Sequence, residues 1–151
     1  MVSVFFVDTS ALAKRYISEV GSVWVRSWIL PKVQHQVVVS ETVLVEMASL
    51  LGRHARSGNL SMVVSNRLQR TFKRHFQSQY IVIKLATPIL REASTIVGKH
   101  GLRALDAIQL ACAVRAQKQI NTPITFISAD ANLLIAATAE GFGVDNPLNH
   151  L

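Results

Sequence analysis

Apolar residues come in short solid blocks along this chain, separated by longer stretches in which they recur every three or four positions. Residues 2–7, 37–39, 80–85 and 124–127 are continuous runs rich in Val, Ile and Phe, and they read as buried strands. Residues 142–144 add a short fifth. Between these runs the helical period takes over. One helix starts at Thr9 or Ser10, either of which can cap it, and runs to about Tyr16. A second runs from about Ser22 and stops before Pro31. A third is capped by Ser40 and continues to about Ser57, where Gly58-Asn59 breaks it. Residues 61–77 form a long basic helix, with Leu60, Val64, Leu68, Phe72 and Phe76 spaced four apart. Thr87 offers a capping hydroxyl ahead of Pro88 at the first helical position of a helix ending near residues 98–101. Residues 103–117 and 132–140 supply the last two helices.

Strands that are apolar on both faces and alternate with helices predict an α/β domain with a parallel sheet covered on both sides. No repeat, low-complexity tract or Pro/Gly-rich linker interrupts the pattern, so residues 1–151 read as a single domain.

Composition narrows the function. The apolar runs fall far below the ~20 residues that span a bilayer. Residues 2–7 are too short for a signal-peptide core and follow no basic segment, so a cytoplasmic location is expected. One cysteine, Cys112, excludes an internal disulfide and a multi-cysteine zinc site. His35, His54, His75, His100 and His150 show no paired metal-ligand spacing. Cys112, Trp24 and Trp28 read as packing residues. The net charge of +7 favours an anionic partner, with nucleic acid ahead of membrane. Sixteen Lys and Arg stand against nine Asp and Glu, so the positions of those few acids carry information.

Glu19, Glu41, Glu92, Glu140 and Asp145 fall in turns, helix starts or surface-like positions. Four others sit in sequence that otherwise reads as core. Asp8 ends the first strand, Glu46 lies beside Val43 and Leu50 on a helical stripe, Asp106 interrupts LRALDAIQLACAV, and Asp130 closes ITFISAD. Burying any of them alone would be costly. One reading pairs Glu46 and Asp106 with Arg53 and Arg103 and makes Asp8 and Asp130 plain helix caps. The other brings the four together. In a doubly wound sheet, ligands collect outside the carboxyl ends of the strands where strand order reverses. With the fourth strand beside the first, Asp8 and Asp130 would face each other across that crevice. Like charges about 5 Å apart repel by roughly 3 kcal/mol at an effective dielectric near 20. Such a cluster needs protons or a cation, and oxygen-only ligands suit Mg²⁺ or Mn²⁺. This second reading requires that no arginine of the same chain fills the gap.

The segments VDTSALAKRY, VSETVLVEMASLLGR, LRALDAIQLACA and FISADANLL, in this order and at these separations, resemble the PIN-domain ribonucleases, most closely the VapC-type toxins of prokaryotic toxin–antitoxin pairs. The resemblance covers essentially the whole chain. It implies a three-layer α/β/α sandwich with a five-stranded parallel sheet, and a Mg²⁺- or Mn²⁺-dependent endoribonuclease leaving 5′-phosphate and 3′-hydroxyl ends. The family's catalytic and metal-binding quartet carries over onto Asp8, Glu46, Asp106 and Asp130. Ser10 matches a position supporting the first aspartate, and Asn132 one that assists the last. The resemblance also implies a homodimer and an antitoxin whose peptide enters the acidic groove. A catalytically silent PIN-like module that binds RNA or protein is the alternative.

Six of the sixteen basic residues lie between Arg53 and Arg74, and Arg67, Arg70 and Arg74 share one helical stripe. That stripe is either a solvated face or an RNA track. Lys14 and Arg15, just past the first acid, are alternative phosphate contacts. A phosphotransferase with a nucleophilic aspartate would need a second aspartate where Ser10 stands. A dinucleotide-binding protein would need a glycine-rich loop after the first strand, and there is none.

Overall fold

The computed structural model describes residues 2–151. Five strands, β1 (Val4–Val7), β2 (Gln36–Ser40), β3 (Ile81–Ile83), β4 (Ile124–Ile127) and β5 (Gly143–Asp145), form one sheet in the order β3-β2-β1-β4-β5. Every pairing is parallel, with Phe6 opposite both Val38 and Phe126. Among the described residues, seven α-helices connect them: α1 (Thr9–Tyr16), α2 (Ser22–Ile29), α3 (Val43–Arg56), α4 (Met62–Ser78), α5 (Thr87–His100), α6 (Ala104–Gln119) and α7 (Ala131–Ala139).

The pleat divides the strand side chains between two cores. Val4, Phe6, Val38, Ile124 and Phe126 point to one face and pack against α5, α6 and α7 through Ile89, Ile96, Leu110 and Leu133. Val7, Val37, Val39 and Ile127 point to the other and meet Leu12, Val25, Met47, Leu51 and Phe72 from α1 to α4. The result is the expected three-layer α/β/α sandwich. Strands apolar on both faces follow from this, since neither face meets water.

The chain leaves β1 for β2 and β3 on one side, then returns to place β4 and β5 on the other. Strand order therefore reverses at the β1–β4 seam. Helix α1 leaves the seam toward one face and α7 toward the other. Asp8 and Asp130 are the residues from which these two helices depart.

Helix starts differ from expectation in three places. Asp8, not Thr9 or Ser10, caps α1, because its carboxylate reaches the Ala11 amide. Ser40 is still in β2, and its hydroxyl accepts from the Thr42 amide in the turn that precedes α3. Thr87 is already helical and caps nothing; Ala86 is the cap residue of α5.

The α1–α2 turn shows how closely the C-terminal segment is packed. Gly21 takes φ +89°, and a Cβ there would lie 2.6 Å from the Pro147 carbonyl oxygen. Gly58 has a similar φ of +82° with open space around it. In urea denaturation, Gly21→Ala is expected to cost about 3 kcal/mol and Gly58→Ala about 1 kcal/mol. Equal losses would show that the Pro147 contact yields freely.

Candidate metal and catalytic centre

Asp8 sits where β1 meets α1, 5 % exposed, with both carboxylate oxygens occupied. Oδ1 accepts from the Ser10 hydroxyl at 2.7 Å and the Ala11 amide at 3.0 Å, and Oδ2 accepts from the Ser128 hydroxyl at 2.6 Å. The backbone ties the same seam together. The Asp8 amide donates to the Ile127 carbonyl, the Ala129 amide to Ser10 Oγ, and the Asp130 amide to Ser128 Oγ. Ser10 and Ser128 thus stitch the end of β1 to the end of β4 through the carboxylate between them.

Burial pushes the Asp8 carboxyl up to about 6, against the three donors that pull it down, and the Asp106 charge adds to the rise. Asp106, on the first turn of α6, is also raised, first by burial and then by Asp130, while Arg103 lowers it. Asp130 caps α7, its Oδ1 accepting from the Asn132 and Leu133 amides at 2.9 and 3.2 Å. Asn132 therefore supports Asp130 through its backbone; its side chain is exposed.

Glu46 departs from expectation in its packing. The buried stripe of α3 is Val43, Met47 and Leu51, and Glu46 stands beside it, half-buried. Among the described residues it pairs with no arginine. Its Oε1 accepts from Gln109 Nε2 at 3.0 Å, and the same amide reaches Thr9 Oγ1 at 3.2 Å. Arg53 bonds instead to Ser49. Glu46 and Asp106 share a pocket of about 380 Å³ with Arg103, Ala104 and Leu105.

The pairing of Asp106 with Arg103 is present. Arg103 Nε lies 3.5 Å from Asp106 Oδ2, and its Nη2 lies 3.9 Å from Asp130 Oδ2. The side chain is 85 % exposed, so the guanidinium lies over the rim rather than in a sealed gap. Among the described residues, no three His, Cys, Asp or Glu side chains stand close enough to hold a metal ion as they are. The acids meet at one end of the sheet without forming a finished coordination shell.

The donor set nonetheless fits a hard cation. All of its donors are carboxylate oxygens, and Asp8 and Asp106 have their protons stabilised by burial and by a neighbouring acid, Asp106 for the first and Asp130 for the second, the condition a divalent charge relieves. Mg²⁺ keeps several waters and binds through one or two carboxylates, so a spread of acids suits it better than a tight cage.

Lys14 is buried and paired with Glu19 at 3.0 Å. Arg15 donates to Gln79 Oε1 and the Tyr80 hydroxyl at 2.7 and 2.8 Å. Both cations are held by the chain itself, which removes the reason to set them against phosphate. Arg67, Arg70 and Arg74 are exposed on α4. Arg74 adjoins His75, whose ring bonds to the Tyr16 hydroxyl at the end of α1, one helix length from Asp8. Ser128 and Gln109 were not singled out from the sequence. Gln109 had a signal, an amide three residues past Asp106 in the apolar first half of α6. Ser128 had none beyond its place after a strand.

The Asp8 shift fixes a pH dependence. In the folded chain Asp8 holds its proton up to about pH 6, against an ordinary value of 3.8. Between these values the folded chain binds more protons than the unfolded one, so stability falls as pH rises through that window. Asp8→Asn keeps an acceptor for Ala11 and removes the charge. In EDTA the variant is expected to melt with the wild type near pH 4 and above it beyond pH 6. A difference of about 2 in pKa sets an upper bound of about 3 kcal/mol on the gain. Circular-dichroism melts across pH read this directly; a wild type more stable at pH 8 would mean that the three hydrogen bonds outweigh the burial.

Comparison with known proteins gives the family. The profile described as PIN domain matches residues 5–139. Ribonuclease VapC47 of Mycobacterium tuberculosis (strain CDC 1551 / Oshkosh) is 27% identical over 146 residues, covering 95% of this chain and 97% of that protein. Among solved structures, PAE2754 from Pyrobaculum aerophilum superposes with a TM-score of 0.69 at 19% identity, over 99% of this chain and 93% of that one. VapBC2 from Rickettsia felis, solved bound to a DNA fragment from its promoter, gives 0.63 at 12% identity, over 95% and 98%. With the profile spanning most of its length, and with β1 and β4 meeting at an acidic seam, this chain belongs to the PIN-domain family.

Proposed function

We propose that this chain is a metal-dependent endoribonuclease and the toxin of a toxin–antitoxin pair. The observation that carries the reading is Asp8, a buried carboxylate held at a strand-order reversal and coupled to Asp106, in a PIN-domain chain. The similarity to a VapC ribonuclease supports RNA as substrate, and the likeness to VapBC2 supports an antitoxin partner. A homodimer and a cytoplasmic location belong to the same proposal. No helix among the described residues is long and apolar enough to cross a membrane.

Asp8 and Asp106 would hold Mg²⁺ or Mn²⁺, with Glu46 and Asp130 joining directly or through water. The bound ion supplies a lowered pKa for water and neutralises charge on the attacked phosphate. The chain's own groups set the rest. Ser10, Ala11 and Ser128 fix the Asp8 carboxylate in one orientation. Glu46 and Asp130 are the two acids that can orient the attacking water. Asp130 spends Oδ1 on the α7 cap, whereas Glu46 is bonded among the described residues only through Oε1, which favours Glu46. Ser10 and Asn132 support Asp8 and Asp130. The exposed Arg67, Arg70 and Arg74 stripe is the RNA track.

A silent RNA- or protein-binding module is the second reading, favoured by the unfinished coordination shell and by Arg103 lying across two of the acids. Metal titration separates the two. The enzyme is expected to cut single-stranded RNA with Mg²⁺ or Mn²⁺ and stop in EDTA. Asp106→Asn is expected to lose at least about 100-fold in rate while still binding RNA. Normal cutting by that variant removes Asp106 from the site, and no cutting under any metal leaves the silent module.

The track has its own measurement. If about five phosphates are contacted, log affinity falls against log salt with a slope of roughly −3.5 for single strands. Arg70→Ala with Arg74→Ala is expected to flatten that slope by roughly 1.4. An unchanged slope puts the RNA elsewhere.

A further inference from the structure

We infer that Arg103 is a built-in counter-cation that covers the Asp106 and Asp130 carboxylates before the metal arrives and then receives the substrate phosphate. The inference rests on the metal-dependent reading above. Arg103 is the residue from which α6 starts, three positions before Asp106, so helix geometry puts the two on one face. Its guanidinium joins α6 to the segment before α7 by reaching Oδ2 of both acids. Among the described residues it is the only cation paired with either of them. Arg53, in the last turn of the helix that carries Glu46, is committed to Ser49.

The contact is built to be given up. At 3.5 and 3.9 Å, with the side chain 85 % exposed, it has a weak hold and little desolvation behind it. A divalent ion would compete for the same two oxygens and, once bound, would repel the guanidinium. Arg103 also lines the pocket shared by Glu46 and Asp106, so the displaced group stays at the mouth through which a phosphodiester must enter. There its planar fork can bond two phosphate oxygens at once. One side chain thus serves the empty and the loaded site in turn. Arg103 is a positioning residue for the acids and a binding residue for the phosphate.

The two roles separate by substitution in the full-length, metal-stripped protein. Calorimetric titration with Mn²⁺ in the absence of RNA is expected to show Arg103→Gln binding about two- to fivefold tighter than the wild type, the range that exposed ion pairs are worth. Arg103→Lys keeps a charge over the acids and is expected to stay near the wild-type affinity. At saturating Mn²⁺, Arg103→Gln is expected to raise the KM for single-stranded RNA about tenfold or more, the cost of losing charged hydrogen bonds. Arg103→Lys should not restore KM, because an ammonium lacks the fork. Mn²⁺ affinity that is unchanged or weaker in Arg103→Gln, or an unchanged KM, overturns the inference while leaving the nuclease reading standing. Absence of Mn²⁺ binding by wild type and variant alike overturns both.

Discussion

A carboxylate buried where two parallel strands meet is the constraint around which this molecule is arranged. Asp8 is nearly sealed from solvent, and its charge is tolerated only because Ser10, Ser128 and the Ala11 amide surround it with donors. Those donors come from both sides of the β1–β4 seam. The charge can be kept only if β4 lies beside β1 and the residues after both strands take the turns they do. Fold and site are therefore not separable here. The hydrogen bonds that make Asp8 bearable also close the crevice around it.

The sheet was legible from the chain because both of its faces are covered. Strands buried on two sides appear as solid apolar blocks, and the helices between them keep their own period. The position of β4 beside β1 was a condition of the site reading rather than a deduction from the chain, and the pairing of Phe6 with Phe126 meets it. Helix starts were less legible. Asp8, Thr9 and Ser10 are all good caps, and only tertiary contacts decide among them: Thr9 turns to Gln109, and Ser10 turns back to Asp8. The candidate acids stood out because a charged residue in an apolar run is conspicuous. Their partners did not. A serine after a strand or a glutamine in a helix is ordinary until distant residues close on it, as Ser128 does on Asp8 across the sheet and Gln109 does on Glu46 from another helix.

The basic residues divide by what holds them. Lys14 and Arg15 looked well placed for phosphate because they follow Asp8 closely, but they sit in the last turn of α1, about two helical turns away from it. Lys14 ends on Glu19, and Arg15 joins the Tyr16, His75 and Tyr80 cluster at the far end of α1. Arg103, by contrast, is farther from Asp8 in sequence yet meets two of the acids in space. Proximity along the chain was a poor guide to which cation belongs to the groove. Helix phase and strand order were better ones.

The β1–β4 pairing has one further effect, on timing. Val4 to Val7 are made before their partners Ile124 to Ile127, which lie 120 positions further along the chain. Until then Asp8 has neither Ser128 nor a covered edge, and the crevice does not exist. A ribosome that has not reached β4 holds three of the five strands and no site. The topology thus delays assembly of the acidic groove until translation has passed β4.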